Sequence, residues 1–235
     1  MGGNKKIDCY LDVASFFSYI AFAELLPNLE TLAAHGVEVE FHPVLIAGIN
    51  QLSGNSPPWK LKAKAAYLSK DSKRAQARVG KPHLAFPRDF LSMAMTASPL
   101  RALLFVKANF PAPVFLAAMH HLFESFWAPP HANLTVDEVL REALAGVRLP
   151  SGGGPVFGAG EVGAIMDGRE AMKGVLRAET ERAVELGAFG APWIWAVNAD
   201  GKGEAFFGSD RFNHVYKYLG VPFQDVALLP PDAKL

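Results

Sequence analysis

The chain has 235 residues, half of them hydrophobic, with Lys+Arg and Asp+Glu balanced at 23 each for a formal charge of zero. That length suits one domain with an insertion or two small domains, and the charge balance argues against a nucleic-acid or anionic-membrane partner, each of which needs a basic surface. Cys9 is the only cysteine, so neither an intrachain disulfide nor a dithiol redox couple is available.

No apolar run approaches the ~20 residues of a membrane-spanning helix. Met1 to Lys6 lacks the apolar stretch of a secretory signal, and Lys6 breaks the myristoylation pattern. The expectation is a soluble, intracellular protein with no membrane span.

Ile7 to Val13 alternates Ile7, Cys9, Leu11 and Val13 on one face and predicts a strand. Ala14 to Ser18 then leads into a helix on which Tyr19, Phe22, Leu26, Leu29 and Leu32 recur at helical spacing, with Gly36 as its stop. Val37 to Val44 alternates again and predicts a second strand, completing a βαβ unit. From Leu61 to about Leu186 the pattern is helical: 62–79, 88–110, 114–127, 135–145 and 167–186, punctuated by Pro111, Pro113, Pro129 and Pro130. Strands return at Trp193–Val197 and Glu204–Phe207, and a helix over Asp210–Leu219 closes the order. Strand, helix and strand, a long helical block, then two strands and a helix make an α/β protein. It is a thioredoxin-like fold with an inserted all-α helical domain. The boundaries fall at 1–60 and 187–235 for the discontinuous thioredoxin-like part and at 61–186 for the insertion.

Chemistry concentrates at the junctions. Gly187-Ala188-Phe189-Gly190-Ala191-Pro192-Trp193 is a loop whose proline starts a strand, a place where a cis bond is found. A cis bond there turns the Ala191 N–H and C=O outward to pair with an extended peptide-like ligand. Ser15, at the end of the first strand, either caps the following helix or meets a ligand above its N-terminus. A hydroxyl cannot exchange dithiols, but it can donate to a ligand thiolate. Ser209 and Asp210 stand at the start of the last helix, where side-chain oxygens and free N–H groups converge.

The loop Gly54-Asn55-Ser56-Pro57-Pro58-Trp59 carries an amide able to hold a carboxylate, although such loops are commonly plain turns, and Lys64 beyond it reads as a solvated helix lysine. Phe16, Phe17, Trp59, Phe86 and Phe90 are candidates to wall an apolar pocket, against the commoner core role. Gly158-Ala159-Gly160-Glu161-Val162-Gly163 matches a dinucleotide fingerprint but follows no strand, and reads as a flexible loop. His120 and Glu124 are one helical turn apart without an evident third ligand, so no metal is expected. Asn133-Leu134-Thr135 fits a glycosylation acceptor but has no secretory context.

Five segments in order resemble the kappa-class glutathione transferases: Asp12-Val13-Ala14-Ser15, Ser53 to Pro58, Phe86-Pro87-Arg88-Asp89-Phe90-Leu91, Gly187 to Pro192, and Phe207-Gly208-Ser209-Asp210-Arg211. That class is DsbA-like and related to the 2-hydroxychromene-2-carboxylate isomerases. The resemblance implies glutathione as co-substrate, with Ser15 hydrogen-bonded to its sulfur and Phe16 and Phe17 beside it. It implies Asn55 at the glycyl end, Ala191 paired with the cysteinyl unit, and Ser209 and Asp210 on the γ-glutamyl end. Family members commonly have proline after the serine, where this chain has Phe16. The implied activity is conjugation of glutathione to a small hydrophobic electrophile or reduction of a peroxide. The alternatives are a glutathione-dependent isomerase of the chromene-carboxylate type and a weakly catalytic glutathione-binding protein. A homodimer is also implied. Ala233-Lys234-Leu235 is a close variant of the Ser-Lys-Leu peroxisomal signal, giving an import receptor as partner and a peroxisomal location, with mitochondrial or cytoplasmic as alternatives.

Overall fold

A computed structural model describes residues 5–226 and 228. Four strands form one sheet in the order β2-β1-β3-β4: β1 Lys5–Leu11, β2 Val37–Pro43, β3 Trp193–Val197 and β4 Gly203–Phe207. β1 pairs parallel to β2, with Cys9 opposite Phe41, and antiparallel to β3, with Cys9 opposite Ile194. β3 and β4 are antiparallel, Trp193 opposite Phe207. Ile7, Cys9 and Leu11 are fully buried, as their alternation predicts. Burial and the neighbouring Asp8 charge push the Cys9 thiol well above the usual thiol range.

The first predicted helix is interrupted. α1 spans Phe16–Leu25, a 3₁₀ turn covers Leu26–Asn28, and α2 runs Leu29–Ala34. Pro27 has no N–H to continue the α ladder, which accounts for the break. α3 (Ile46–Ser53) was not foreseen; Ile49 is its one buried residue, too weak a pattern to signal a helix.

α4 (Lys62–Arg78), α7 (Ala112–Trp127) and α8 (Asp137–Ala145) match predicted helices within two residues at each end. The helix predicted over 88–110 is instead two, α5 (Phe90–Met93) and α6 (Ala97–Asn109), separated where Thr96 Oγ1 donates to Asp12 at 2.6 Å. The helix predicted over 167–186 is α10 (Lys173–Glu185), preceded by a separate α9 (Ala159–Gly168). The glycine-rich run at 158–163 therefore starts a helix and is not a flexible loop. Glu161 accepts the Gly158 N–H at 2.8 Å, and Val162, Ile165 and Met166 bury one face. α11 (Phe212–Tyr218) closes the chain order.

One core cluster joins Ile7 and Leu11 of β1 and Tyr19 and Phe22 of α1 to Phe123 and Trp127 of α7. α10 is fixed to the sheet side by polar contacts: Leu45 N–H donates to Thr180 Oγ1 at 3.1 Å, and Glu179 lies 2.9 Å from His42 Nδ1. Among the described residues no helix is long and apolar enough to cross a membrane.

Candidate functional site

The turn from β1 into α1 is built by Asp12. Its carboxylate is fully buried and accepts from the Ala14 N–H (2.8 Å), the Ile46 N–H (2.7 Å) and Thr96 Oγ1. Its carbonyl accepts the Ser15 N–H at 3.0 Å. Trp127 Nε1 donates to the Val13 carbonyl at 2.8 Å, holding the same turn from α7. Burial raises the Asp12 carboxyl to about 6, even though all three hydrogen bonds favour its ionised form.

So held, Ser15 is the N-cap of α1. Its Oγ accepts the Ser18 N–H at 3.2 Å and donates to the Ala191 carbonyl at 2.9 Å. A hydroxyl has one proton and two lone pairs, so both bonds are made at once. The Ala191–Pro192 bond is cis. The carbonyl of Ala191 is nevertheless not free, contrary to expectation, because the buried Ser15 hydroxyl needs an acceptor and takes it. The Ala191 N–H has no acceptor among the described residues.

Asn55 reaches the same loop. Its Nδ2 donates to the Phe189 carbonyl at 2.5 Å, and its Oδ1 accepts the Ser56 N–H at 2.8 Å. On the other side, Gly208 N–H donates to the Pro192 carbonyl at 3.3 Å, placing the turn to Ser209 and Asp210 against the cis-proline loop. Gly208 has φ +104, a backbone conformation that favours glycine; the Asp210 carboxylate 2.9 Å from where a Cβ would lie is exposed and free to move aside. Ser209 is buried and its carbonyl accepts from Arg78 at 2.7 Å, while the exposed Asp210 carboxylate pairs with Arg211. Arg78 also pairs with Glu24 of α1. The Glu24 carboxyl is raised by burial, opposed by Arg78 and reinforced by the charge of Asp210.

Phe16 opens α1 directly after the cap, so the absence of proline there leaves the helix start intact. Its ring stacks on Phe86 (5.2 Å between centroids) and meets Trp127 and Phe17 edge-on. Beyond Phe86 lies an apolar cleft of about 310 Å³ lined by Trp59, Ala65, Leu68, Phe86, Phe90 and Leu91. The suspected aromatic wall is therefore one contiguous group, of a size that admits a small ligand. Phe16 and Phe17 are its inner, partly core members.

The His120–Glu124 pair does not assemble as ligands. Glu124 instead receives Tyr19, His83 (2.5 Å) and Lys81 (3.2 Å). Burial pushes its carboxyl up, but these partners prevail and hold it at about 2. Asp8, Glu40 and His42 bring three potential ligand atoms within 4.8 Å of one another. The Lys6 ammonium already lies 2.8 Å from Asp8 and 2.7 Å from Glu40, and Lys107 takes the other Glu40 oxygen at 2.7 Å. With His42 between Asp8 and Glu179, the cluster is an internally matched ion network.

Sequence reading therefore identified the residues that meet at this junction, and missed the ones that hold them. Asp12 and Arg78 are placed by contacts across 84 and 131 residues of chain, which no local pattern reveals. The signals for Asp12 were a carboxylate directly after an apolar strand and its place at the head of the Asp12-Val13-Ala14-Ser15 segment, neither of which shows what it holds.

The chain is 29% identical over 221 residues to glutathione S-transferase kappa 1 of Caenorhabditis elegans, covering 92% of each. It is 29% identical over 218 residues to glutathione S-transferase kappa 1 of Homo sapiens, covering 92% of this chain and 91% of that protein. A solved 2-hydroxychromene-2-carboxylate isomerase superposes with a TM-score of 0.68 at 20% identity, covering 92% of this chain and 94% of the other. The model of the DSBA-like thioredoxin domain matches residues 6–220. With the sheet order, the cis-proline loop opposite the α1 cap and this match agreeing, the chain belongs to the DSBA-like thioredoxin domain family.

Proposed function

We propose that the protein is a glutathione transferase that binds glutathione as the thiolate at Ser15 and attacks an electrophile held in the apolar cleft. The observation that carries this reading is the Ser15 hydroxyl at the N-terminus of α1, 2.9 Å from the Ala191 carbonyl. A thiolate arriving there accepts a hydrogen bond from the Ser15 hydroxyl, while Oγ keeps accepting the Ser18 N–H. The Ala191 carbonyl so released, with the Ala191 N–H, pairs with the cysteinyl backbone. A free thiol titrates near ~8.5, and a hydroxyl donor with the helix dipole lowers that by about a unit or more.

The γ-glutamyl ammonium pairs with Asp210 beside Ser209, and Asn55 exchanges the Phe189 carbonyl for the glycyl end. The sulfur then forms a C–S bond as the leaving group departs with its electron pair. The protein acts as a homodimer; the Ala233-Lys234-Leu235 tripeptide lies outside the described residues.

Calorimetric titration with glutathione, followed by assays against an aryl halide, a lipid peroxide and a chromene carboxylate, tests the reading. Glutathione binding with turnover of the halide supports it. Turnover of the chromene alone assigns the isomerase, and binding without turnover assigns a glutathione-binding protein.

A further inference from the structure

Zero net charge conceals a strongly segregated surface. From Trp59 to Arg78 the chain carries seven basic residues and one acidic residue, Asp71, so the remainder holds an equal excess of acidic groups. Lys60, Lys62, Lys64, Lys70, Lys73 and Arg74 are all exposed, and of the basic residues in this segment only Arg78 forms an ion pair among the described residues. Tyr67, Lys70, Lys73 and Arg74 recur at helical spacing on the face of α4 opposite its buried Ser72, Ala75 and Gln76. Arg74 lies over the Tyr67 ring, 6.0 Å from its centroid.

The same surface is apolar at its end. Trp59 is 40% exposed, Leu61 and Tyr67 55% each, and Leu91 69%. Trp59 and Leu91 also line the mouth of the apolar cleft, together with Ala65 and Leu68 of α4.

We infer that the basic face of α4, with Trp59, Leu61 and Leu91 at its edge, docks the protein on an anionic lipid surface. Clustered lysines on a helix beside exposed tryptophan and leucine are the combination that binds such interfaces: the charges meet the headgroups and the apolar groups enter the acyl boundary. A nucleic acid would satisfy the lysines but leave exposed leucines uncovered. A second copy of the chain is disfavoured by symmetry, since a two-fold contact sets a patch against itself and here opposes two positive faces. The acidic remainder turns this face toward the membrane on approach. One consequence rests on the transferase reading: the cleft mouth faces the bilayer, so hydrophobic electrophiles enter from lipid.

Co-sedimentation of the intact protein with phosphatidylcholine vesicles, with and without about one-third phosphatidylserine, tests the docking. Binding is expected only to the phosphatidylserine vesicles and is lost at about 0.5 M salt. The exposed triple variant Lys70→Gln, Lys73→Gln, Arg74→Gln should bind on the order of 100-fold more weakly, at roughly fivefold for each charge. Its glutathione affinity and circular dichroism should remain unchanged. Ser15→Ala should sediment like the unmodified protein, which separates failure of the docking from failure of the transferase reading. No binding to either vesicle, equal binding to both, an unaffected triple variant, or tighter binding to an oligonucleotide than to vesicles would each overturn the inference.

Discussion

On the proposed reading Ser15 and Asp12 divide the labour at the β1–α1 turn: Ser15 donates a hydrogen bond to the thiolate, and Asp12 fixes the turn from which it does so. Ser15→Ala removes the donor to the thiolate while leaving the ammonium and carboxylate ends of glutathione bound. Turnover with an aryl halide should fall about 10²-fold, as for loss of one oriented donor to a reacting anion, with affinity changed far less. The apparent thiol pKa in the rate profile should move upward, toward the free value; equal losses in turnover and affinity, with no such movement, would exclude the thiolate role.

Asp12 has the opposite sign from most acidic groups in folded proteins. Its folded value, about 6, lies above the unfolded 3.8, so the native state binds more protons and loses stability as pH rises from about 4 to about 6. Asp12→Asn abolishes that titration but confronts one of the three donors with an amide N–H, at a cost of about 1–3 kcal/mol. Measured by urea unfolding, the variant's deficit relative to the unmodified protein should shrink between pH 4 and pH 7. A deficit constant across that range would show that the carboxyl titrates normally.

At the scale of elements, the cis-proline loop is the point to which three separate segments are tied. α1 reaches it through Ser15, the end of α3 through Asn55, and β4 through Gly208. Arg78 extends this frame by linking the end of α4 to α1 through Glu24 and to the turn after β4 through the Ser209 carbonyl. Arg78→Ala should therefore raise KM for glutathione several-fold with kcat nearly unchanged, and Arg78→Lys should recover part of it; a fall in kcat alone would place Arg78 elsewhere in the mechanism.

The alternation of Ile7, Cys9 and Leu11 and the proline before Trp193 made the strands legible from sequence, because burial on a sheet imposes a two-residue period. The break at Thr96 was not legible, since its cause is a carboxylate 84 residues away. Nor was α9: its glycines argue for a loop until Glu161 caps them. The site was legible as a set of junction residues, whereas the hydrogen bond that occupies the Ala191 carbonyl was visible only once both loops were folded together.

At the scale of the molecule, composition leaves the distribution of charge unstated. A formal charge of zero is an average, and averaging hides a helix whose charged residues are nearly all basic set against a remainder with a net acidic excess. Solubility follows the average, but approach to a charged surface follows the distribution.

Cys9 supplies a built-in gauge of the whole fold. It is the chain's single thiol, fully buried in β1 between β2 and β3, and its proton is held more firmly than in a free thiol. A thiol reagent can reach it only when β1 parts from its neighbours, so labelling should be negligible in the folded protein. As urea is raised, the labelling rate should track the loss of far-ultraviolet dichroism. Rapid labelling without denaturant would mean that β1 opens independently of the rest. The same silence leaves glutathione as the sole reactive sulfur in a mixture with the folded protein, so consumption of thiol reads turnover without correction for the enzyme.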